Sequence, residues 1–116
     1  MSTTDLAELA KLHCEPRKGS ENALDGSRVR VLLALLPGWQ AADDGKSILK
    51  AFQFRDFHET LGFVNAVGWM ANRQDHHPDL EVGYNRCMVH WSTHDVGGLS
   101  MNDFICAARV ELIAQD

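Results

Sequence analysis

Three of the six histidines in this 116-residue chain lie at the two ends of one short stretch. His76 and His77 precede Pro78, and His94 is followed by Asp95. Imidazole titrates near about pH 6.5, so it can accept or release a proton around neutrality. A reaction that removes a proton at one atom and protonates a leaving group at another needs two such groups. The residues between the two ends have the pattern of β-strands, and we expect folding to bring the histidines together.

Metal binding and nucleophilic catalysis are the two other kinds of chemistry that this stretch could support. Neighbours such as His76 and His77 seldom point at one metal ion, and no H-x-H or H-E-x-x-H pattern accompanies them. Ser92 and Ser100 lack the elbow motif of a nucleophilic serine, and Cys87 is the one cysteine inside the stretch. We therefore predict an acid–base site without a metal ion. The alternative is that His76 and His77 simply line a surface turn.

The bulk composition is typical of a globular protein in solution. Hydrophobic residues make up 45% of the chain and charged residues 23%. A net charge of -5 and the lack of a basic run argue against nucleic-acid and membrane partners. The beginning of the chain lacks the order of a signal peptide, and its longest apolar run, residues 31–36, is too short to span a bilayer. The three cysteines form no C-x-x-C, so we expect reduced thiols in a cytoplasmic protein.

The N-terminal part of the chain is the least regular. We treat residues 1–26 as a peripheral arm, helical in part and otherwise loop, and residues 27–116 as a single domain. Capping residues, turn residues and hydrophobic periodicity predict the elements of the domain. In chain order they are a helix at 28–36 capped by Ser27, strands at 39–42 and 47–54, a helix from Asp56 to near Asp75, strands at 81–84 and 86–93, and a helix beginning after Ser100.

Hydrophobic spacing also predicts which side chains face the core. The strand at 86–93 alternates, with its more apolar set inward and His90 on the opposite face. Gly62 and Gly68 interrupt the long helix, and we attribute them to close packing on the sheet. The predicted inward residues are Phe57, Leu61, Val64, Val67 and Ala71 in the long helix, Cys87, Val89, Trp91 and Thr93 in the strand, and Phe104, Ala107, Ala108 and Leu112 in the last helix.

The order of the predicted elements sets the fold class. Short turns join the strands in pairs, so each pair is expected to be antiparallel. The helices can all cover one face of the sheet, which makes the protein α+β. An uncovered face and open sheet edges would remain, and these favour self-association.

Several motifs in this chain resemble those of one known family. They are Phe52-Gln53-Phe54-Arg55-Asp56-Phe57, Gly62-Phe63, Asp75-His76-His77-Pro78, Tyr84-Asn85, the run from Ser92 to Ser100, and Asp103. In these residues the chain is similar to the pterin-4a-carbinolamine dehydratases, also called dimerisation cofactor of hepatocyte nuclear factor. The resemblance extends from about Trp39 to Ile113, and the pairing of His-His-Pro with a later Ser-Thr-His is highly specific.

The resemblance implies a fold, an assembly and an activity. The implied fold is a four-stranded antiparallel sheet with three helices on one face, to which the N-terminal arm is added here. The implied assembly is a homodimer joined through sheet edges, commonly paired into a homotetramer. The implied activity is dehydration of 4a-hydroxytetrahydropterin to quinonoid dihydropterin, with no cofactor and no metal. That reaction recycles the pterin of aromatic amino acid hydroxylases, which implies a functional link to such an enzyme.

The same resemblance implies roles for the residues of the stretch. His76 and His94 are the acid–base candidates, and which of them is the acid stays open. His77 is a further catalytic candidate that would bind and orient the pterin. A non-catalytic module for pterin binding, dimerisation or regulation is the alternative. The implied substrate-binding residues are His77, Pro78, Thr93, Asp95, Asp103 and Asn72.

Two positions depart from the family pattern. An acidic residue, most often Glu, usually stands four positions before the first histidine, and here that position is Asn72. The residue before the pocket aspartate is Arg in some members and is Asn102 here. Because an amide can hydrogen-bond a pterin edge but supplies no charge, we expect an effect on substrate affinity more than on the reaction.

Overall fold

The computed structural model describes residues 5–115, and residues 1–4 of the predicted arm and residue 116 lie outside the described residues. None of the helices within 5–115 is long and apolar enough to cross a lipid bilayer. Short 3-10 turns occupy Ser20–Asn22 and His94–Val96. The other elements in chain order are α1 (Leu6–Lys11), α2 (Gly26–Leu33), β1 (Gln40–Ala41), β2 (Ile48–Gln53), α3 (Phe57–Gln74), β3 (Asp79–Val82), β4 (Arg86–Trp91) and α4 (Met101–Gln115).

The four strands form one antiparallel sheet in the order β1-β2-β4-β3. The central pair, β2 and β4, sets Phe52 opposite Cys87. Alternation along β4 buries Cys87, Val89 and Trp91, as predicted, and leaves His90 half-buried on the other face. The predicted α+β fold with a four-stranded antiparallel sheet is therefore confirmed.

The helix α4 lies at the centre of the core. Nine of its residues are buried, including Phe104, Ala107 and Ala108, for which the predicted inward orientation is confirmed. Leu112 was expected inward but is 42% exposed. The buried surface of α4 is wider than one amphipathic stripe because α1, α3 and β4 all pack against this helix.

The inward face of α3 differs from the predicted one. Phe57 and Leu61 are 44% and 40% exposed, so their assignment to the core is wrong. The ring of Phe57 instead stacks on Tyr84 at a centroid distance of 6.3 Å, at the periphery. Close packing does not explain Gly62 or Gly68, because a Cβ at either position would meet nothing within 4 Å. The buried residues of α3 are Thr60, Phe63, Val67, Met70 and Ala71.

Two predictions for the segment before β1 are also wrong. The helix α2 begins two residues earlier than predicted, because the carboxylate of Asp25, rather than Ser27, accepts the backbone N–H of Arg28 at 2.8 Å. The arm is not peripheral, since Leu9 on α1 is fully buried in the hydrophobic core that α4 shares. The apolar residues of α1 pack against α4, at the other end of the chain, and local spacing does not reveal such a contact.

Thr60 connects α3 to the turn between β3 and β4. Its hydroxyl lies 2.9 Å from the carbonyl oxygens of both Asp56 and Tyr84, and the side chain is fully buried. We expect Thr60→Val to lower the free energy of unfolding by about 1–2 kcal/mol, because the Tyr84 carbonyl loses its donor. Urea denaturation measures the change, with Asn65→Ala on the exposed face of α3 as the control. An unchanged midpoint would contradict this role for the hydroxyl.

Candidate active site

The end of α3 directs His76 into the protein. Asp75 adopts a left-handed conformation, with φ 52° and ψ 42°. The N–H of His76 then donates to the carbonyl of Ala71 at 3.2 Å, and that of Asp75 donates to Asn72 at 3.3 Å. These are the bonds of a Schellman motif, which ends a helix and turns the chain sharply. Pro78 follows two residues after His76, at a position where a helix could not continue.

The imidazole of His76 is fixed by two neighbours. Its Nε2–H donates to Oδ1 of Asp103 at 2.6 Å. The ring stacks on the indole of Trp91, with centroids 5.5 Å apart and planes inclined by 11°. With Nε2 committed to the carboxylate, Nδ1 is the ring nitrogen that can exchange a proton with a ligand.

The carboxylate of Asp103 is completely buried and is held by several donors. Its Oδ2 accepts the hydroxyl of Thr93 at 2.8 Å and the backbone N–H of Ser100 at 2.9 Å. The contact to Ser100 is one half of a capping box at the start of α4, the helix that was predicted to begin after Ser100. A buried carboxylate needs such donors, and this one meets three of them, including His76.

The environment of His76 raises the pKa of its imidazole, which makes the ring a stronger base. Burial of the ring disfavours the charge and is the largest single influence on the pKa of His76. The hydrogen bond that His76 donates to Asp103 and the negative charge of Asp103 are the main influences in the opposite direction, and the pKa of His76 is raised above its usual value. A carboxylate that orients an imidazole and stabilises the imidazolium is a recurring arrangement in general acid–base catalysis.

Thr93 lines two cavities. The first, here called the His76 cavity, has a volume of about 280 Å³, and Asp95 and Asn102 also line it. The second, the His94 cavity, has a volume of about 330 Å³. Predicted site residues therefore lie in neighbouring cavities, with His76, Thr93 and Asp95 in one and His94 in the other.

His94 is the first residue of the 3-10 turn that follows β4, and its side chain is exposed. Gly97 ends this turn in a left-handed conformation with φ 75°, which glycine adopts without steric cost. The N–H of Thr93 donates to the carbonyl of Gly98 at 2.9 Å, which closes the loop. His90 also lines the His94 cavity, and its Nε2 lies 2.6 Å from Glu81 on the adjacent strand.

His77 and Asn72 pair with each other at the surface. Nε2 of His77 donates to Oδ1 of Asn72 at 3.1 Å, and both side chains are exposed. Neither residue lines the His76 cavity or the His94 cavity, and the same holds for Pro78. These three residues of the predicted substrate-binding set are therefore not brought into the two cavities.

Nothing in the sequence indicated that the arm would reach the site. Cys14, Glu15, Pro16, Arg17 and Lys18 all line the His76 cavity, together with Gln74. Contacts across so many residues leave no local pattern. The sequence analysis also missed the stacking of Trp91 on His76. The sequence does contain a hint of this contact, because Trp91 belongs to the inward set of β4 and directly precedes the motif that contains His94.

Cys14, which lies outside the histidine stretch in the sequence, is the cysteine that lines the His76 cavity. Sγ of Cys14 lies 3.5 Å from Sγ of Cys106, and Cys14 lines the His76 cavity whereas Cys87 does not. The hydrogen bond between the thiols lowers the pKa of Cys14 against the effect of burial. The same contact, together with burial, raises the pKa of Cys106. Among residues 5–115 no group of three or more His, Cys, Asp or Glu side chains is placed to hold a metal ion.

The fold and the site define a class: an α+β protein that presents an imidazole–carboxylate pair at a cavity beside its sheet. The sequence profile of the family described as pterin 4 alpha carbinolamine dehydratase matches residues 22–113. The chain belongs to this family.

Two curated relatives match over nearly their whole length. A protein of Xanthomonas campestris, strain 8004, whose name assigns it provisionally to pterin-4-alpha-carbinolamine dehydratase, is 56% identical over 107 residues. That match covers 92% of this chain and 91% of the relative. A Stenotrophomonas maltophilia protein with the same provisional name is 50% identical over 111 residues, which is 96% of each chain.

Solved structures agree with the fold. A crystal structure from Brucella melitensis, described as a transcriptional coactivator/pterin dehydratase, has a TM-score of 0.78 and 34% sequence identity. It covers 80% of this chain and 99% of the other. A pterin dehydratase-like protein described as a RuBisCO assembly factor in the alpha-carboxysome has a TM-score of 0.58, covers 66% of this chain and 89% of its own, and is 20% identical. This second similarity shows the fold alone.

Asp103 should set both the pKa of His76 and part of the pH dependence of stability. Because the folded-state pKa of His76 is raised, the contribution of the pair is fully present below about pH 6.5 and is lost as pH rises through the folded-state pKa. We expect Asp103→Asn to lower the pKa of His76, measured by NMR titration, and to destabilise the fold more at pH 5 than at pH 8 in thermal melts.

Asp43→Asn is the matched control for this substitution, because Asp43 is exposed in the turn between β1 and β2. Asn at position 103 would also turn an amide N–H₂ toward one of the donors, at a cost of about 1–3 kcal/mol at every pH. The pH-dependent part separates the two effects. An Asp103→Asn protein in which His76 titrates as in the wild type would disprove the electrostatic coupling.

Proposed function

We propose that this chain is a hydro-lyase that dehydrates a 4a-hydroxytetrahydropterin to the quinonoid dihydropterin. The observation that carries the proposal is the 2.6 Å contact between His76 and buried Asp103 at the edge of the His76 cavity. Such a pair can take a proton at one atom and keep the resulting charge in place. Membership of the dehydratase family, and the names of the two relatives, support the substrate class.

The reaction is an elimination in which two bonds break. An N–H bond of the pterin ring breaks, and its electron pair forms a carbon–nitrogen double bond to C4a. The C4a–O bond breaks at the same time, and its electrons leave with the hydroxyl oxygen, which takes up a proton and departs as water. Atoms and charge balance without an oxidant or a reductant, so the protein has to supply one base and one acid.

His76 is the base in this proposal. Its Nδ1 takes the ring-nitrogen proton, while Asp103 holds Nε2 and stabilises the imidazolium that forms. The indole of Trp91 keeps the imidazole plane in one orientation. Pre-organisation of this kind reduces the reorganisation needed when the proton moves.

His94 is the acid that protonates the departing hydroxyl. A flat bicyclic ligand that crosses the boundary at Thr93 would have one edge in the His76 cavity and the other in the His94 cavity. Gly97 and Gly98, which line the second cavity, allow a flat ring to approach the backbone. His77, which pairs with Asn72 at the surface, would bind and orient a part of the pterin that extends outside the two cavities.

The assembly and the setting are part of the same proposal. The strands β1 and β3 are the edges of the sheet, and their free backbone groups suit a homodimer formed edge to edge, with a homotetramer as a further step. In a cell the product would serve an aromatic amino acid hydroxylase in the cytoplasm, without nucleic acid as a partner. Light scattering coupled to size exclusion measures the mass of the assembly.

The deciding experiment is a dehydration assay on 4a-carbinolamine that is generated enzymatically. The expected result is a rate above the spontaneous dehydration that rises in proportion to protein concentration. A protein that binds pterin with no such rate would be the alternative, a non-catalytic module for binding or regulation. The description of the Brucella melitensis structure as a coactivator favours testing that alternative directly.

A further inference from the structure

The arm forms one wall of the His76 cavity and is fixed there at several points. The N–H of Cys14 donates to the side-chain oxygen of Gln74 at 2.8 Å. The N–H of Gly19 donates to the carbonyl of Asp95 at 3.0 Å. These two bonds lie on either side of residues 15–18, and both acceptors belong to residues that also line the cavity. The wall is therefore held to the body of the site at both ends.

Asn102 holds the middle of this wall. Its side-chain amide pairs with the backbone of Glu15: Oδ1 accepts the Glu15 N–H at 3.1 Å, and Nδ2 donates to the Glu15 carbonyl at 2.7 Å. The side chain is buried, and Asp103 is the next residue in the chain. A paired amide in this position ties the arm to α4, the helix that carries Asp103.

Arg17 is drawn into the same arrangement. Its Nε–H donates to Oδ1 of Asn102 at 3.0 Å, and its Nη2 lies 3.3 Å from a carboxylate oxygen of Glu15. The side chain is only 20% exposed, which is low for an arginine in a loop. A guanidinium has five N–H donors, and these contacts involve two of its nitrogens. The other nitrogen, Nη1, can serve a ligand in the cavity.

The charges of the His76 cavity give Arg17 a specific use. Carboxylates of Glu15, Asp75 and Asp95 line it, and the cations among its lining residues are Arg17 and Lys18, besides His76 when protonated. Of these two, Arg17 has the fixed guanidinium, because Asn102 holds its Nε. A planar guanidinium suits the in-plane acceptors of a flat heterocycle better than an ammonium does.

We propose that Arg17 is a substrate-binding residue of the His76 cavity, where Nη1 of its guanidinium donates to the carbonyl oxygen of the pyrimidinone ring. Asn102 is the positioning residue that holds the guanidinium and the arm in place. The inference rests on the proposed function, because it assumes that the pterin occupies this cavity. It assigns to the N-terminal arm a part in substrate recognition.

The test compares Arg17→Gln and Arg17→Lys with the wild type in the dehydration assay. Arg17→Gln is expected to raise KM by about tenfold or more and to change kcat by less than about twofold, because the lost contact is a charge-assisted hydrogen bond away from the reacting atoms. Arg17→Lys restores the charge without the planar fork, so its KM is expected to lie in between. Arg28→Gln, at an exposed arginine on α2, is the matched control.

A second readout does not depend on turnover. Binding of 7,8-dihydrobiopterin, which cannot be dehydrated, is measured by calorimetry, and its Kd is expected to rise for Arg17→Gln in parallel with KM. Wild-type KM and Kd in both Arg17 variants would overturn the inference, as would a loss in kcat at unchanged KM. If Arg17→Gln fails to fold in thermal melts, Arg17→Lys decides alone, with a raised KM supporting the inference and a wild-type KM overturning it.

Failure of the proposed function has a different signature. A wild-type protein that neither dehydrates the carbinolamine nor binds the dihydropterin would disprove the function itself, and with it the role of Arg17. A wild-type protein that does both, beside Arg17 variants that are unchanged, would disprove only the role of Arg17.

Discussion

The His76→Ala protein is expected to lose about 10²–10⁴-fold of the catalysed dehydration rate, which is the range for a missing general acid or base. The loss should appear in kcat, because the ring acts on the proton that moves and not on the rest of the substrate. Steady-state kinetics on enzymatically generated 4a-carbinolamine measure it. His58→Ala is the matched control, since His58 is an exposed histidine of α3 that lines neither cavity.

A second substitution is needed at this position because His76 is also the partner of a buried charge. Alanine removes a donor from Asp103, which is completely buried, and so destabilises the fold as well. Glutamine at position 76 can still donate an N–H to the carboxylate, but it cannot titrate near neutral pH. We expect His76→Gln to keep most of the stability and to lose as much rate as His76→Ala. Wild-type activity in a folded His76→Gln protein would be incompatible with the proposed base.

The His94→Ala protein is also expected to lose about 10²–10⁴-fold in kcat, but with little change in the melting temperature. His94 is exposed on the short turn after β4, so its removal opens no cavity in the core. The comparison of rate and thermal melt in one variant therefore separates chemistry from folding. The control is again His58→Ala.

Combining the two substitutions tests whether the histidines serve one turnover. Residues that act together in one step give grossly non-additive losses when both are removed. The His76→Ala, His94→Ala double variant should therefore be about as slow as the slower single variant. Losses that multiply would mean that the two cavities act independently, and that result would contradict a ligand shared across Thr93.

The most informative departures from expectation concern residues whose partners are distant in sequence. Asn102 stands where some family members have an arginine, and the sequence alone suggested an effect on substrate affinity. In the structure its side-chain amide forms hydrogen bonds with the backbone of Glu15 and with the guanidinium of Arg17. Nothing near position 102 in the sequence indicates this, because Glu15 and Arg17 are 87 and 85 residues away. The other unusual position, Asn72, pairs with His77 at the surface.

The sequence determined the elements and the chemistry that they bear. Caps and turns predicted α3, α4 and the two strand pairs, although β3 begins two residues earlier than predicted, because these signals act within about four residues and depend little on the rest of the chain. Alternation along β4 identified Cys87, Val89 and Trp91 as inward residues, since the strand period holds wherever one face is buried. The histidine motifs indicated acid–base chemistry because imidazole titrates near neutral pH.

Tertiary structure alone decided which groups meet. The pairing of His76 with Asp103, the stack on Trp91 and the arm as a cavity wall are all contacts between separate elements. Long-range packing also chose the buried stripe of α3 and left Phe57 and Leu61 exposed, since a helix with several apolar sides can bury any of them. Whether a side chain acts as a base, fixes a loop or lines a cavity depends on the residues that folding places beside it, and the packing of the whole chain determines those residues.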